Sequence, residues 1–265
     1  MFTRNEKLTT AQVELFQQTA KLHLKSVWSP ADVRRLSTWV DELESWPETP
    51  QKWMKYFEQK GDSKRQLCRI ENFIAYHEGL RNLISGPETL AMMSQLMHSP
   101  AILFKEKINF KLPGGSGFTA HQDAPAFRNF GPEYHITMMI SVDETTPENG
   151  GLEFSDPVAV HTYLEQTIDG SIAPKLEENM NWQPIITQPG DIVFFDSFIP
   201  HRSGPNHTQN RRRVLYITYN RACDGNVRAD YYNLKRVTFP PDCERIKGVD
   251  YSKAGGQFNV GNPIK

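Results

Sequence analysis

The stretch "ILFKEKINFKLPGGSGFTAHQD", Ile102 to Asp123, is where the apolar spacing of the chain changes. Before it, apolar residues recur every three or four positions. From Ala101 onward the apolar runs are short, rich in β-branched and aromatic residues, and broken by glycine and proline. The later runs have the same character: "YHITMMISVD" from Tyr134, "GLEFSD" from Gly151, "DIVFFDSFI" from Asp191 and "RVLYITYN" from Arg213. Turn-rich pieces separate them, "LPGGSG", "TTPENGG" and "QPGD". Many short strands with such punctuation predict a sandwich or jelly roll and not a parallel α/β sheet.

On the N-terminal side the pattern reads as mainly helical support over residues 1–100. Val13, Phe16, Ala20 and Leu24 recur at helical spacing. "SPADV" then offers Ser29 as an N-cap, Pro30 at the first helical position and Asp32 in the first turn, with Val33, Leu36, Val40 and Leu43 along one face. A further helix after Gly86 carries Leu90, Met93 and Met97, whose methionines are expected in the core. On the C-terminal side, residues 222–265 read as an irregular tail, and Pro157 to Pro184 as a polar excursion without periodicity. The expectation is a single domain over residues 1–265: helical support, a jelly-roll core at 101–221, then the tail.

Of the 265 residues, 38% are hydrophobic and 23% charged, and the net charge is -1. This is an ordinary globular balance with no electrostatic footprint for nucleic acid. "RRR" at Arg211 to Arg213 is the densest basic cluster, but it is short and opens a strand. Three widely spaced cysteines, Cys68, Cys223 and Cys243, argue against a disulfide framework and a cysteine zinc site. No run approaches the roughly 18 apolar residues needed to span a bilayer, and "MFTRNEKLTTAQ" has no signal-like apolar core. A cytoplasmic protein without membrane contact is expected. The oligomeric state is not legible.

In an extended segment, residues two apart share a face, so His121 and Asp123 can address one point while Gln122 faces elsewhere. "DIVFFDSFIPHRSGPN" offers a third ligand, His201, at the end of an aromatic strand. Two histidines and one carboxylate on one face form the facial triad, which leaves adjacent positions open on an octahedral iron. Fe(II) so held would attract an anionic bidentate cosubstrate and leave a site for O2. If that cosubstrate is a 2-oxo acid, arginine is the geometric match for its far carboxylate. Arg212, eleven residues past His201, is the expected residue, with Arg211 and Arg213 as the alternatives; strand alternation sets Arg212 on the face opposite both. Ser203, on the same side as His201, could add a hydroxyl.

The ordered set of H-x-D, then "NGG" before a strand, then "PGD", then "PHRSGPN", then arginines opening a strand resembles the phytanoyl-CoA dioxygenase-like group of Fe(II)/2-oxoglutarate oxygenases. The resemblance spans about Lys105 to Asn220. It implies a double-stranded β-helix, a cupin-like jelly roll, mainly β with flanking helices. It also implies that His121, Asp123 and His201 are iron ligands, that Arg212 binds 2-oxoglutarate, and that Ser203 touches it. Because Asp123 is present, it implies hydroxylation; halogenating relatives carry a small residue there. This chain looks shorter and more polar than the acyl-CoA enzyme, so that substrate is not carried over.

"HQDAPAF", "RIENF" at Arg69 to Phe73 and the tail "DYSKAGGQFNVGNPI" look similar to the branch that hydroxylates small aminoalkylphosphonates beside the phosphorus. This resemblance implies 2-aminoethylphosphonate or its trimethylated form as the small-molecule substrate. Such a ligand needs a cationic or amide cluster at one end and a carboxylate or aromatic wall at the other. Lys105, Lys107, Asn109 and Lys111 alternate along one strand, either entering the barrel or forming a solvated lysine face. Lys107 is assigned to the cosubstrate, and Asn109, Gln122 and Phe127 to the substrate. Phe118, Phe130 and Tyr134 are further candidates for an aromatic wall or for packing. His23, His77, His98, His135, His161 and His207 lack partners at ligand spacing and are expected to be structural or exposed.

Two other classes compete. A jelly-roll binding protein without turnover would share the fold, but would have no use for open metal positions and a 2-oxo-acid clamp. A hydrolytic zinc enzyme would need a glutamate base near the triad, and none is evident.

Overall fold

A computed structural model describes residues 7–60, 64–156, 161–251, 254–258 and 264. In chain order its principal elements are α1 (Thr10–Thr19), β1 (Lys21–Leu24), α2 (Pro30–Ser45), β2 (Met54–Lys60), β3 (Lys64–Glu71), α3 (Glu78–Ser85), α4 (Pro87–Met97) and β4 (Ala101–Lys111). There follow β5 (Phe118–His121), α5 (Ala124–Phe127), β6 (His135–Ser141), β7 (Leu152–Ser155), α6 (Pro174–Glu177), β8 (Trp182–Pro184), β9 (Ile192–Asp196), β10 (His201–Ser203), β11 (Arg212–Arg221), α7 (Arg228–Thr238) and α8 (Gly255–Phe258).

The strands form a seven-stranded sheet, β1-β9-β6-β11-β4-β3-β2, and a four-stranded sheet, β5-β10-β7-β8. Every pairing between these strands is antiparallel. The period of two decides what each face does. Ile136, Met138, Ile140, Phe194, Leu215 and Ile217 join a core with the helices on the outer face of the large sheet. Met139, Val193, Phe195, Val214 and Tyr216 point the other way, into a second core with Leu152 and Phe154 of the small sheet. The arrangement is the expected jelly roll, with α1–α4 packed on the outer face of the large sheet.

Helix α2 forms as its sequence predicts. Ser29 accepts from the Asp32 N–H, Pro30 opens the helix, and Leu36, Val40 and Leu43 are buried. Each such side chain contributes about 1.5–3 kcal/mol relative to an exposed one. The helix expected to run from Thr10 to Leu24 is shorter. Ala20 takes the left-handed conformation (φ 58°) and its N–H closes on Phe16 O, ending α1. Lys21–Leu24 then turns extended and pairs with β9 at the edge of the sheet.

Two broader expectations are refined. Helices predominate in residues 1–100, but they are not helical support alone, because β2 and β3 lie there and extend the large sheet beyond β4. Their alternation is hidden by charged residues that are nonetheless buried, Lys55, Glu58, Arg69 and Glu71. Nor is the segment after Ala222 wholly irregular. Helix α7 buries Tyr231, Tyr232 and Lys235, a stripe that an aliphatic template does not detect. Of the Pro157–Pro184 excursion, residues 157–160 lie outside the described residues, as does much of the C-terminal motif. No described helix is long and apolar enough to cross a membrane.

Candidate metal centre

Strand β5 ends at His121, and the β10 ladder sets His201 directly opposite it. Asp123 does not continue the strand. Its backbone is helical (φ -76°, ψ -34°) and it starts the short α5, held where Ala124 N–H donates to Ser197 O at 2.9 Å. The expectation that His121 and Asp123 share a face of one strand is therefore wrong in its route. The turn brings them together all the same: one ligating atom from each of His121, Asp123 and His201 lies within 4.8 Å of the others.

The protonation states suit a divalent cation. His121 Nδ1 lies 2.7 Å from Thr119 O, and His201 Nδ1 lies 3.1 Å from Ile199 O. A carbonyl only accepts, so each Nδ1 carries the hydrogen and each Nε2 lone pair is free for a metal. Burial, then the neighbouring His201, pushes the His121 imidazole down to about 3, and burial lowers His201 as well. Burial acts the other way on Asp123, but His201, Lys107 and Lys105 outweigh it and hold the carboxyl below the usual carboxylate range. The donor set is two neutral imidazoles and one carboxylate, which fits Fe(II).

A small cavity of about 20 Å³ runs from the triad to Lys107, Asn109, Ser203, Arg212 and Tyr216. The three neighbouring arginines separate as their alternation predicts. Arg211 is on the surface with Asp41 (2.6 Å) and Glu44 (2.8 Å). Arg213 is bound by Asp143 and Asp41. Arg212 alone of the three faces the cavity, 1% exposed, and its Nε and Nη1 have no hydrogen-bond partner among the described residues. Two buried, unpaired guanidinium N–H groups are costly unless an anion takes them. Ser203 also faces this cavity, where its hydroxyl accepts from Lys111 Nζ at 2.8 Å. Lys111, not Lys107, makes that contact; burial and then Arg212 bring its ammonium down to about 6.

A second cavity, about 30 Å³, also adjoins His121 and Asp123. It is lined by Arg69, Lys105, Lys107, Phe118, Phe127 and Tyr231, with Gln257 and Phe258 of α8. The inner row of β4 is thus no solvated face: Lys105, Asn109 and Lys111 are buried, and Lys105 Nζ stands 4.4 Å from the Phe127 ring centroid. Three separate motifs meet here, "RIENF" through Arg69, "HQDAPAF" through His121, Asp123 and Phe127, and "GGQF" through Gln257 and Phe258. Asn109 accepts from Arg69 Nε at 3.3 Å, so it steadies that arginine as well as lining the first cavity.

Gln122 is corrected. Its amide nitrogen donates to Phe198 O (2.6 Å) and Thr162 O (2.9 Å), and its oxygen accepts from Leu164 N–H (2.9 Å). It is committed to the backbone behind the triad and offers nothing to a substrate. Tyr134 also lies elsewhere, in a cleft of about 520 Å³ that contains none of the triad. That larger cleft is not where the chemistry gathers, since its one deeply buried acid, Asp196, is already bonded to the Phe198 N–H and stands 3.3 Å from His161. Among the other histidines, His77 caps α3 and His23 pairs with Asp191. Sequence reasoning missed Glu71, Tyr231 and Lys235 as neighbours of the site; only the pairing of β3 with β4 and the course of α7 reveal them.

Residues 16–214 match the family described as phytanoyl-CoA dioxygenase. The chain is 48% identical to the 2-aminoethylphosphonate dioxygenase of uncultured bacterium HF130_AEPn_1, over 97% of this chain and 98% of that protein. It is 42% identical to the methylphosphonate hydroxylase of Gimesia maris, over 89% of each. Among solved structures, EctD from S. alaskensis, with 2-oxoglutarate and 5-hydroxyectoine, superposes at a TM-score of 0.69 with 17% identity, covering 84% of this chain and 80% of that one. That likeness bears on the fold alone. A jelly roll, a convergent His-Asp-His set and a family match across most of its length lead to one conclusion: the chain belongs to the phytanoyl-CoA dioxygenase family.

Proposed function

We propose that this protein is an Fe(II)- and 2-oxoglutarate-dependent oxygenase that hydroxylates a small organophosphonate at the carbon bonded to phosphorus. 2-Aminoethylphosphonate and its trimethylated form are the first candidates, and residues 1–265 act as one catalytic unit. The observation that carries the reading is the cationic cavity built against the triad, with Arg69, Lys105 and Lys107 beside His121 and Asp123. A doubly charged phosphonate is the kind of ligand such a cavity recognises. The two relatives named above, one acting on 2-aminoethylphosphonate and one on methylphosphonate, support it.

His121, Asp123 and His201 would hold the iron. With iron bound, one O2 and one 2-oxoglutarate are consumed, carbon dioxide and succinate are released, and one oxygen atom is placed on the substrate carbon. The remaining work belongs to the chain. Arg212, with Ser203 and Lys111 beside it, receives the distal carboxylate of 2-oxoglutarate, satisfying the guanidinium N–H groups that otherwise lack partners. Lys107 lines both cavities and stands between cosubstrate and substrate. Each cavity holds only a water or two, so seating the ligands requires the long lysine side chains to swing aside. Phe118, Phe127, Tyr231 and Phe258 then enclose the reacting carbon and keep water from it.

The test is succinate release by anaerobically reconstituted Fe(II) protein given 2-oxoglutarate and O2. The panel is no substrate, 2-aminoethylphosphonate, its trimethylated form, methylphosphonate, a choline-like amine and a fatty acyl-CoA. Stimulation by a phosphonate alone, with the matching 1-hydroxy product, is the expected result. Stimulation by the amine or the acyl-CoA instead would overturn the substrate.

A further inference from the structure

The structure points to a site for the substrate's phosphonate group and to the residue that keeps it open. We propose that Arg69 and Lys105 take the phosphonate oxygens, and that Lys235, reaching in from α7, is the positioning residue that presents Arg69 to them. This rests on the phosphonate reading above.

The β3–β4 ladder opposes Arg69 to Asn109 and Glu71 to Lys107, so both β3 residues extend the inner row of β4. Arg69 is 4% exposed and three of its hydrogen bonds fix it: Nε to Asn109 Oδ1 (3.3 Å), and Nη1 to Glu71 Oε1 (3.2 Å) and to Phe258 O (3.4 Å). Its Nη2 makes no hydrogen bond among the described residues, in a side chain that lines the cavity with His121 and Asp123. Lys105, in the same wall, likewise makes no hydrogen bond among them. It contacts only the faces of Phe127 and Tyr231, at 4.4 and 5.5 Å.

Lys235 stands behind this pair. It is 1% exposed, and its Nζ donates to both oxygens of Glu71 at 2.7 Å. Rings of Tyr56, Tyr231 and Phe258 surround the ammonium at 5.1–5.8 Å. The arrangement matters because a carboxylate and a guanidinium prefer to meet through two parallel hydrogen bonds. Glu71 left alone with Arg69 would engage both Nη groups and draw Nη2 out of the cavity. With both oxygens claimed by Lys235, Glu71 holds Arg69 through Nη1 only, and Nη2 stays available.

Charge gives the same answer. Arg69 and Lys105 are the cations of this wall, Glu71 is already taken up by Lys235, and iron on the triad would more than offset the charge of Asp123. The cavity is therefore net positive, as a phosphonate anion requires.

The experiment is equilibrium binding to the anaerobic Fe(II) holoenzyme, with 2-aminoethylphosphonate and methylphosphonate as probes and 2-oxoglutarate as the control ligand. Lys235→Met is expected to raise the Kd for both phosphonates tenfold or more, leave that for 2-oxoglutarate within twofold, and raise KM more than it lowers kcat. The double variant Glu71→Gln/Lys235→Met removes the pull on Arg69 together with its restraint, so it should bind phosphonate more tightly than Lys235→Met alone. A merely structural lysine would instead weaken both ligands alike, with no recovery in the double variant, and that outcome overturns the proposal. Should Lys235→Met fail to fold, Arg69→Gln and the double variant decide. Tenfold weaker phosphonate binding in the first with near wild-type binding in the second supports the assignment; equal binding in both overturns it. Wild-type protein that binds neither phosphonate removes the substrate reading and this site with it, whereas wild-type binding that Lys235→Met leaves unchanged removes only the role of Lys235.

Discussion

The imidazoles of His121 and His201 face each other across the β5–β10 ladder, their ring centroids 4.2 Å apart. Each is fixed through Nδ1 to a carbonyl of its own segment, so a metal at the two Nε2 atoms would tie two strands of the small sheet together. Ligands that bind only the folded state stabilise it by mass action, about 2.7 kcal/mol at a hundredfold excess over Kd. Adding Fe(II) anaerobically should therefore raise the melting temperature by about 5–10 °C. Asp123→Ala should show no such shift, bind no stoichiometric iron and release no succinate. A full shift and wild-type turnover in that variant would rule out the triad.

The three arginines that open β11 should give three different phenotypes. Arg212→Ala removes the charged partner of a buried carboxylate and should raise KM for 2-oxoglutarate about 30-fold or more, with a smaller effect on KM for substrate. Arg211→Ala breaks only surface pairs and should change stability by less than about 1 kcal/mol, with kinetics unaltered. Arg213→Ala, whose guanidinium holds Asp143, Asp41 and the Ser37 hydroxyl, should destabilise the fold by about 1–3 kcal/mol while leaving KM for 2-oxoglutarate alone. Steady-state kinetics and urea titration on the three proteins separate these outcomes.

Gln122→Ala should cost about 1–3 kcal/mol, because it strands the carbonyls of Thr162 and Phe198 and the Leu164 N–H. Its kinetic signature should be a lower kcat with weaker iron retention, since Gln122 sits between two ligands, and not a selective rise in KM for the phosphonate. Chelator-competition assays and substrate titrations would distinguish the two.

Acid should reveal the ion pair behind the substrate site. Burial alone would raise the Glu71 carboxyl, but Lys235 and Arg69 outweigh it and bring it to about 2, against an ordinary 4.5. A depressed carboxyl contributes stability that is fully present above the ordinary value and is lost as pH falls toward the folded one. Between pH 4.5 and about 2 the wild type should thus lose stability more steeply than Glu71→Gln, a difference that denaturant titrations at several pH values would measure. Parallel curves would refute it.

What the sequence discloses and what it hides differ by kind of side chain. Strands β4, β6, β7, β9 and β11 are legible because they are short runs rich in β-branched and aromatic residues, bounded by glycine and proline. The triad is legible because "HQD" and "PHRS" stand in an ordered set of motifs that resembles the family, and Arg212 because that resemblance gives its offset from His201 while alternation parts it from its two neighbours. β2, β3 and α7 are not legible: their buried positions include the charged residues Lys55, Glu58, Arg69, Glu71 and Lys235, whose burial depends on partners far away in the chain. No window of sequence contains both Glu71 and Lys235. Asp123 teaches a related lesson, since the spacing names the right pair while the backbone reaches it through a helical turn.

The alternation at the head of β11 has a consequence for how this protein can change over time. Arg211 and Arg213 are bound on the helix side by Asp41, Glu44 and Asp143, while Arg212 points inward. Deleting or inserting one residue ahead of them would drive a charged side chain into the helical core and turn the inward arginine out, penalising the misaligned chain through unmatched charge before any activity is lost. Apart from Asn206, which is fully buried and donates to Lys111 O and Asn210 O, the loop of residues 204–211 should therefore tolerate substitutions readily but length changes poorly, and lineages that lengthen it would need a compensating bulge within the strand.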